Sequence, residues 1–214
     1  MNAEAIYEKL AACRVIPVVA IDSVDSAVGL ADALIAGGLP VAEITFRTAA
    51  AADVIALLSR ERPQLLVGAG TVLTPENARK AKACGAAFAV APGFNPNVVR
   101  AAQECGLPFA PGVMTPTDLE GALELGVRVM KFFPAGAAGG LKMLKSIAAP
   151  YAHLGIRFIP TGGVSTDNLQ TYLAEPMVLA AGGTWLAKKD AIAAGDWATI
   201  TTACAEACRL AHGA

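Results

Sequence analysis

The amino-acid sequence predicts an α/β fold, a single (β/α)8 TIM barrel with an extra N-terminal helix. Short β-rich runs alternate with Ala-rich helical stretches along the 214 residues. This alternation implies a parallel sheet, and eight such units suit a closed barrel. No linker-like shift in composition interrupts the pattern, so we expect one domain over residues 1–214.

The predicted elements follow from the apolar runs and the residues that separate them. Strands are expected near residues 15–21, 41–46, 66–72, 88–92, 109–113, 128–133, 157–161 and 178–182. Helices are expected near residues 25–36, 50–61, 75–84, 96–105, 116–125, 139–148, 166–174 and 196–211. The extra helix, near residues 2–12, precedes the first strand and is placed to cover the bottom of the barrel.

Helix boundary signals support these elements. Three helices should begin with an N-cap followed by proline, at Thr74-Pro75, Asn95-Pro96 and Thr115-Pro116. Glycines stand where four helices stop, at Gly37-Gly38, Gly85, Gly106 and Gly126. The alternative fold is an open doubly wound sheet. It is disfavoured because no strand is followed by a GxGxxG or P-loop motif.

Charge and hydropathy exclude several classes of partner. The net charge is -1 and the pI is about 6.1, which gives no support for nucleic acid or an acidic membrane surface as a partner. No apolar run approaches the roughly 18 residues that span a bilayer, and the sequence begins without a signal-peptide pattern. We therefore expect a cytoplasmic protein, and any anionic substrate must be held by a local site.

The five cysteines are odd in number and scattered, without a CxxC pair, which predicts free thiols in a reducing compartment. Cys204 and Cys208 share a helix face and could bind a metal. Only His153 and His212 could complete such a site, at no recognisable spacing. Core packing is therefore the favoured interpretation, and no metal site is predicted.

Lys131 lies inside the apolar run 128–133, which is unusual because burying an ammonium group is costly. In a barrel, alternate side chains of a strand point into the lumen, and chemistry gathers at the carboxyl ends of the strands. If Val129, Lys131 and Phe133 face the lumen, water-poor surroundings disfavour the cation and make a nucleophilic amine accessible. Alone, this pattern equally fits a structural lysine paired with a buried carboxylate.

Glu43 and Arg47 share one parity in the second predicted strand, with Thr45 between them. They could form a structural ion pair, or act as a general acid/base and a clamp for a carboxylate. Lys131 on another inward-facing strand favours the functional interpretation. An amine, a carboxylic acid and a guanidinium are the groups needed to form an imine with an α-keto acid.

Glycine-rich turns follow three predicted strands. Gly68-Ala-Gly-Thr71 ends the third, where glycine permits close approach and Thr71 supplies a hydroxyl. Thr161-Gly-Gly163 and Gly182-Gly-Thr184 end the seventh and eighth, where barrels commonly bind phosphate through backbone N–H groups. A short helix over residues 186–194, with Thr184 as N-cap, should add positive charge there. Simple turn glycines are the alternative.

Five motifs resemble those of the 2-keto-3-deoxy-6-phosphogluconate aldolase family, which also includes 4-hydroxy-2-oxoglutarate aldolases. They are Glu43-Ile-Thr-Phe-Arg47, Gly68-Ala-Gly-Thr-Val-Leu73, Lys131-Phe-Phe-Pro-Ala135, Pro160-Thr-Gly-Gly163 and Gly182-Gly-Thr-Trp185. The likeness covers nearly the whole chain in the same order and spacing. It implies a metal-independent class I aldolase without a cofactor, a cytoplasmic homotrimer that cleaves the phosphorylated keto-deoxy sugar acid to pyruvate and glyceraldehyde 3-phosphate.

The resemblance also implies roles for particular residues. Lys131 would form the Schiff base and Glu43 would shuttle protons. Arg47 and Thr71 would hold the pyruvyl carboxylate. The pocket would be shaped by Pro92 and Phe133, and phosphate would be bound by Thr161, Gly162, Gly163, Gly183 and Thr184.

Two departures from the family pattern concern the substrate. Some relatives, including those that act on a galactonate-derived substrate, carry an arginine at the end of the first strand, where this chain reads Val18-Val-Ala-Ile21. This favours the gluconate-type substrate. At the phosphate position, close members often have serine in place of Thr184. The competing functions are a phosphate-binding isomerase or epimerase, which leaves the lysine no covalent task, and a non-catalytic binding protein for phosphorylated acids.

Overall fold

Parallel strands form the centre of the computed structural model, which describes residues 2–213. The strands are β1 (Val15–Val19), β2 (Val41–Thr45), β3 (Leu66–Gly70), β4 (Phe88–Val90), β5 (Phe109–Ala110), β6 (Gly112–Val113), β7 (Val129–Phe132), β8 (Arg157–Pro160) and β9 (Ala181–Gly183). Each overlaps a run that the sequence marked as β-rich.

Helices separate most of the strands. They are α1 (Ala3–Cys13), α2 (Ala27–Ala36), α3 (Ala51–Glu61), α4 (Pro75–Ala83), α5 (Pro96–Glu104), α6 (Pro116–Glu124), α7 (Gly140–Ala148), α8 (Leu169–Leu173), α9 (Lys189–Ala194) and α10 (Trp197–His212). Thr74, Asn95 and Thr115 cap α4, α5 and α6 through their side chains, each followed by proline, as predicted.

The strands curl around in chain order. β1 to β5 and β9 form one sheet of order β5-β4-β3-β2-β1-β9, and β6, β7 and β8 form a second of order β6-β7-β8. Parallel bridges from Phe158 to Val178 and from Thr161 to Gly182 connect the end of the second sheet to the chain around β9. The architecture is therefore an α/β fold with a curled parallel sheet, in agreement with the predicted class.

Pro111 divides the predicted fifth strand into β5 and β6. Proline has no backbone N–H, so it cannot continue a ladder as a donor. Its carbonyl still accepts a hydrogen bond from Lys131 N at 2.8 Å. β5 pairs with β4, whereas β6 pairs with β7 and aligns Gly112 with Lys131. The second sheet thus begins beside the lysine.

The core has two parts. The larger lies between the strands and the surrounding helices, and the smaller lies inside the curled sheet. Ile6 and Leu10 of α1 belong to the smaller cluster, with Ile16, Val41 and Phe88 from the early parts of their strands. The helix therefore packs against the amino ends of the strands, opposite the ends where the polar motifs lie.

Two helical predictions need correction, and one helix was not predicted. A 3-10 helix over Ala149–Leu154 continues α7 and was not anticipated. α8 is shorter than the predicted 166–174, because the Asn168 side chain accepts from Ser165 N and holds a turn in place of the first helical residues. The helix expected from residue 186 begins only at Lys189, because Lys188 is extended, with ψ 143°.

Candidate active site

Lys131 lies in β7 with its side chain among the polar residues at the carboxyl ends of the strands. Its neighbours Met130 and Phe132 belong to the core between strands and helices, whereas Val129 belongs to the cluster inside the sheet. This alternation places Lys131 inside, as its parity predicted. Only 5% of the residue is exposed, so the amine is held away from bulk water.

The partner of Lys131 is Glu43 in β2. Lys131 Nζ donates to Glu43 Oε1 at 3.0 Å and to Oε2 at 3.2 Å, and Glu43 is 2% exposed. Removing either member of a buried pair leaves an uncompensated charge, which typically costs about 3–5 kcal/mol. Nζ also lies 5.6 Å from the centre of the Phe133 ring. The pair is compatible with both interpretations of Lys131, the structural and the catalytic one. Lys131 has a buried carboxylate partner, and that partner is the predicted proton shuttle.

Arg47 does not pair with Glu43. β2 ends at Thr45, and the exposed residue Arg47 follows in the turn, where its guanidinium donates through Nε to Thr45 Oγ1 at 3.2 Å. Thr45 in turn donates to the Val19 carbonyl at 2.9 Å and is buried. The hydroxyl thus links the arginine to β1, and the structural Glu43–Arg47 pair considered from the sequence is not formed.

Two residues at the carboxyl end of β3 are unusual, Gly70 for its contact with Glu43 and Thr71 for its backbone conformation. Gly70 has an ordinary strand conformation, yet a Cβ placed on it would overlap the Glu43 carboxylate. Thr71 has φ 56°, a left-handed conformation that is rare for a β-branched residue and is typically found at functional sites. The sequence marked Thr71 as a candidate but offered no signal for the contact between Gly70 and Glu43.

The first predicted phosphate turn follows β8 and is a loop in which Gly162 is half-buried and Gly163 is exposed. Gly162 and Gly163 have φ of 86° and 82°, which favours glycine at both. The Gly163 carbonyl accepts from Asn168 Nδ2 at 2.9 Å, and the Gly162 carbonyl accepts from Gly136 N at 2.7 Å. Thr161 is buried, and its side chain lies against Gly182.

The second turn, after β9, is built differently from the expectation. Gly183 is buried, and a Cβ there would overlap the indole ring of Trp185. Position 183 therefore requires glycine because the Trp185 ring occupies the space of a side chain. Thr184 is exposed but caps no helix, because Leu186 and Ala187 are buried in the core and α9 starts after them. The turns after β8 and β9 lie next to each other through the Thr161–Gly182 bridge.

Pro92 and Phe133 line one depression at the carboxyl ends of the strands. It has a volume of about 290 Å³ and is also lined by Met114 and Pro134. Two other cavities, of about 510 and 460 Å³, lie beside α1 at the opposite ends of the strands. Neither Lys131 nor Glu43 lines the depression or either of these two cavities, so the polar residues define the candidate site better than cavity volume does.

Metal-binding clusters and membrane-spanning helices are both lacking in the described part of the chain. Within residues 2–213, no three His, Cys, Asp or Glu side chains are grouped so that they could hold a metal ion. No helix in the same range is both long and apolar enough to cross a membrane.

The curled α/β fold is shared with enzymes of the aldolase class. A family model described as KDPG and KHG aldolase matches residues 6–203, and the chain belongs to this family. It is 50% identical over 196 residues to the 2-dehydro-3-deoxy-phosphogluconate aldolase of Treponema pallidum, covering 92% of each chain. It is 43% identical over 193 residues to the KHG/KDPG aldolase of Escherichia coli, covering 90% of each.

A solved structure supports the same assignment. The KDPG aldolase of Legionella pneumophila, with pyruvate captured as a covalent carbinolamine intermediate, superposes with a TM-score of 0.89 at 40% identity. The match covers 96% of this chain and 97% of the other. The fold and family are thereby established together.

Proposed function

We propose that this protein is a class I aldolase that cleaves 2-dehydro-3-deoxy-6-phosphogluconate to pyruvate and glyceraldehyde 3-phosphate. The observation that carries the proposal is the contact of Lys131 Nζ with Glu43 Oε1 at 3.0 Å inside the curled sheet. It places a nucleophile and a proton carrier at one point. The name of the Treponema relative, at 50% identity, supports the substrate.

The residues divide the chemistry as follows. Glu43 takes a proton from the Lys131 ammonium, and the free amine attacks the C2 ketone to give a carbinolamine. Glu43 returns a proton as water leaves, and an iminium forms at Lys131. The C4 hydroxyl then loses its proton to Glu43, the C3–C4 bond breaks, and the bonding electrons flow into the iminium. Protonation of the enamine at C3 and hydrolysis release pyruvate and regenerate the amine.

The substrate's anionic groups bind on either side of this centre. We assign the pyruvyl carboxylate to Arg47 and Thr71, because Arg47 is exposed beside the carboxyl end of β2 and Thr71 follows β3. Pro92 and Phe133 shape the pocket as walls of the same depression. The phosphate is assigned to Thr161, Gly162, Gly163, Gly183 and Thr184. Exposure favours Gly163 and Thr184 as its direct contacts.

The finer architecture is also a proposal. We infer that β5 and β6 act as one bent strand, so that the two sheets close into a single eight-stranded barrel in one domain over residues 1–214, with α1 as the extra helix. The bridges from Phe158 to Val178 and from Thr161 to Gly182 support this closure. The cytoplasmic homotrimer follows from the family resemblance. The name of the E. coli relative supports 4-hydroxy-2-oxoglutarate as a second substrate.

Trapping the imine tests the function. The protein is incubated with pyruvate and borohydride in the presence of EDTA, digested, and mapped by mass spectrometry. The expected result is one modified residue, Lys131, with none at Lys142 or Lys145. A modification at either of those lysines, no modification, or a requirement for a divalent metal would overturn the proposal. A panel of gluconate-type, galactonate-type and 4-hydroxy-2-oxoglutarate substrates, scored by pyruvate release, then establishes the preference.

A further inference from the structure

We propose that Gly70 is a positioning residue for the aldolase reaction, because its missing side chain makes the space that the Glu43 carboxylate occupies. A Cβ built on Gly70 would lie 2.7 Å from Glu43 Cγ and 2.8 Å from Cδ, and would overlap Oε1 as well. These separations are far inside van der Waals contact, so any other residue at position 70 forces Glu43 to move.

The backbone does not explain this glycine. Gly70 ends β3 in an ordinary strand conformation, paired with Thr45, and its carbonyl accepts from Phe46 N at 2.8 Å. Any residue can adopt that conformation. The next position, Thr71, has φ 56°, and there a β-branched side chain is retained despite the strain. Glycine therefore stands at position 70, where space is needed. Position 71, whose backbone conformation favours glycine, carries threonine instead.

The reaction cycle explains why this space matters. Within residues 2–213, the Glu43 carboxylate accepts side-chain hydrogen bonds from Lys131 alone. When Lys131 becomes an iminium, it loses two of its three N–H groups, and the pair that fixes Glu43 is weakened. The space over Gly70 stays unchanged through every intermediate. It therefore permits the carboxylate to remain near the reacting carbons when its ionic partner no longer holds it there, whereas a Cβ at position 70 would exclude it.

The same strand provides a matched control. Gly68 also points inside, and a Cβ there would overlap the ring of Phe88, which is 1% exposed and belongs to the core inside the sheet. Gly68→Ala thus introduces the same methyl group with a comparable packing penalty, but against a residue without a chemical role. The difference between Gly70→Ala and Gly68→Ala isolates the effect on Glu43.

The inference rests on the proposed function, and the test separates the two. Solvent exchange of the pyruvate methyl protons, followed by NMR, reports proton transfer at C3, while borohydride trapping reports imine formation. Gly70→Ala should reduce exchange and kcat by about 100-fold, the loss typical of a misplacement of about 1 Å. Borohydride should still trap the imine that this variant forms with pyruvate. If the wild-type protein shows neither exchange nor trapping, the function itself fails.

A second substitution tests the contact directly. Glu43→Asp withdraws the carboxylate by one methylene, which makes room for the methyl group that Gly70→Ala introduces. The losses from Gly70→Ala and Glu43→Asp should therefore not multiply, and the double variant should be no slower than Glu43→Asp alone. If Gly70→Ala does not fold, recovery of folding in the double variant gives the same support. The inference would be overturned if the losses from Gly70→Ala and Glu43→Asp multiply, or if the double variant fails to fold. It would also be overturned if Gly70→Ala keeps near wild-type exchange or loses no more than Gly68→Ala does.

Discussion

Lys131 and Glu43 are separated by 88 residues in the chain, yet the ammonium of one donates to both carboxylate oxygens of the other, at 3.0 and 3.2 Å. Both residues are almost completely buried. Each therefore depends on the other for its charge balance, and each supplies what the other needs in an imine-forming reaction. Glu43 can therefore have two roles, as the ionic partner of Lys131 and as a proton carrier, and a substitution can distinguish between them.

Glu43→Gln should damage proton transfer more than pyruvate binding. The amide keeps the shape of the carboxylate but cannot carry a proton, and general acid–base groups typically contribute about 10²–10⁴-fold in rate. We expect kcat to fall by that order while the Kd for pyruvate changes less. Near wild-type turnover would show that Glu43 serves only as the ionic partner of Lys131.

Arg47→Met should weaken binding of the pyruvyl carboxylate. The guanidinium is held through Nε by Thr45, which leaves its terminal nitrogens in position for a two-point bond. Hydrogen bonds to charged groups contribute about 1.5–3 kcal/mol, or roughly 10–100-fold in kcat/KM. Arg60→Met on the exposed face of α3 is the matched control and should have no effect. A loss of less than twofold in Arg47→Met would remove it from the binding site.

Thr184→Val should discriminate between substrates. Thr184 is exposed in a turn that lies next to the turn after β8, so its hydroxyl can donate to a phosphate oxygen bound there. Loss of one such bond is expected to lower kcat/KM for the phosphorylated substrate by about 10–100-fold. Cleavage of 4-hydroxy-2-oxoglutarate, which has no phosphate, should change little. Equal losses on both substrates would indicate that this turn only supports the fold. Thr202→Val in α10 provides a control for removal of a surface hydroxyl.

Gly183 is a poor choice for the same test. A Cβ at this position overlaps Trp185, so substitution perturbs the packing under the turn whether or not phosphate is bound. Thr184→Val avoids this difficulty because it preserves the volume of the side chain.

The Cys204 thiol should make the protein less stable at alkaline pH. Burial, with a smaller effect of Cys208, raises the pKa of Cys204 to about 12, whereas an unfolded thiol titrates near 8.5. The folded state therefore holds this proton more tightly, and the resulting stability is complete below about pH 8.5 and is lost as the pH rises towards 12. Between these values the free energy of unfolding should fall by up to about 1.4 kcal/mol per pH unit on account of this thiol.

Denaturant unfolding at several pH values checks this expectation. Cys204→Ala should show a shallower decline of the unfolding free energy above pH 9 than the wild type, apart from a constant loss caused by the smaller side chain. Cys84→Ala, at a partly exposed position, should leave the slope unchanged. Burial also raises the pKa of Tyr7 to about 12, so a decline will persist in Cys204→Ala. Identical slopes in both variants would contradict the assignment to Cys204.

Several features of the fold could be predicted because short segments encode them. The N-caps Thr74, Asn95 and Thr115 bond to N–H groups two or three residues ahead, so the sequence pattern and the structure contain the same information. The period of the strands placed Lys131 and Glu43 on the inner side for the same reason. Corrections arose where burial overrode the local pattern, as at Leu186, which enters the core before α9 begins.

The sequence by itself thus determined the α/β class and the order of the elements, and it singled out the lysine, the carboxylate and the arginine as candidates, because each depends on residue type and local period. Only the tertiary structure decided which of two cations pairs with Glu43, where the predicted fifth strand divides at Pro111, and why Gly70 and Gly183 are glycines. Those outcomes depend on atoms that are distant in the chain or turned towards one another by the fold. Spacing in the sequence does not specify such contacts.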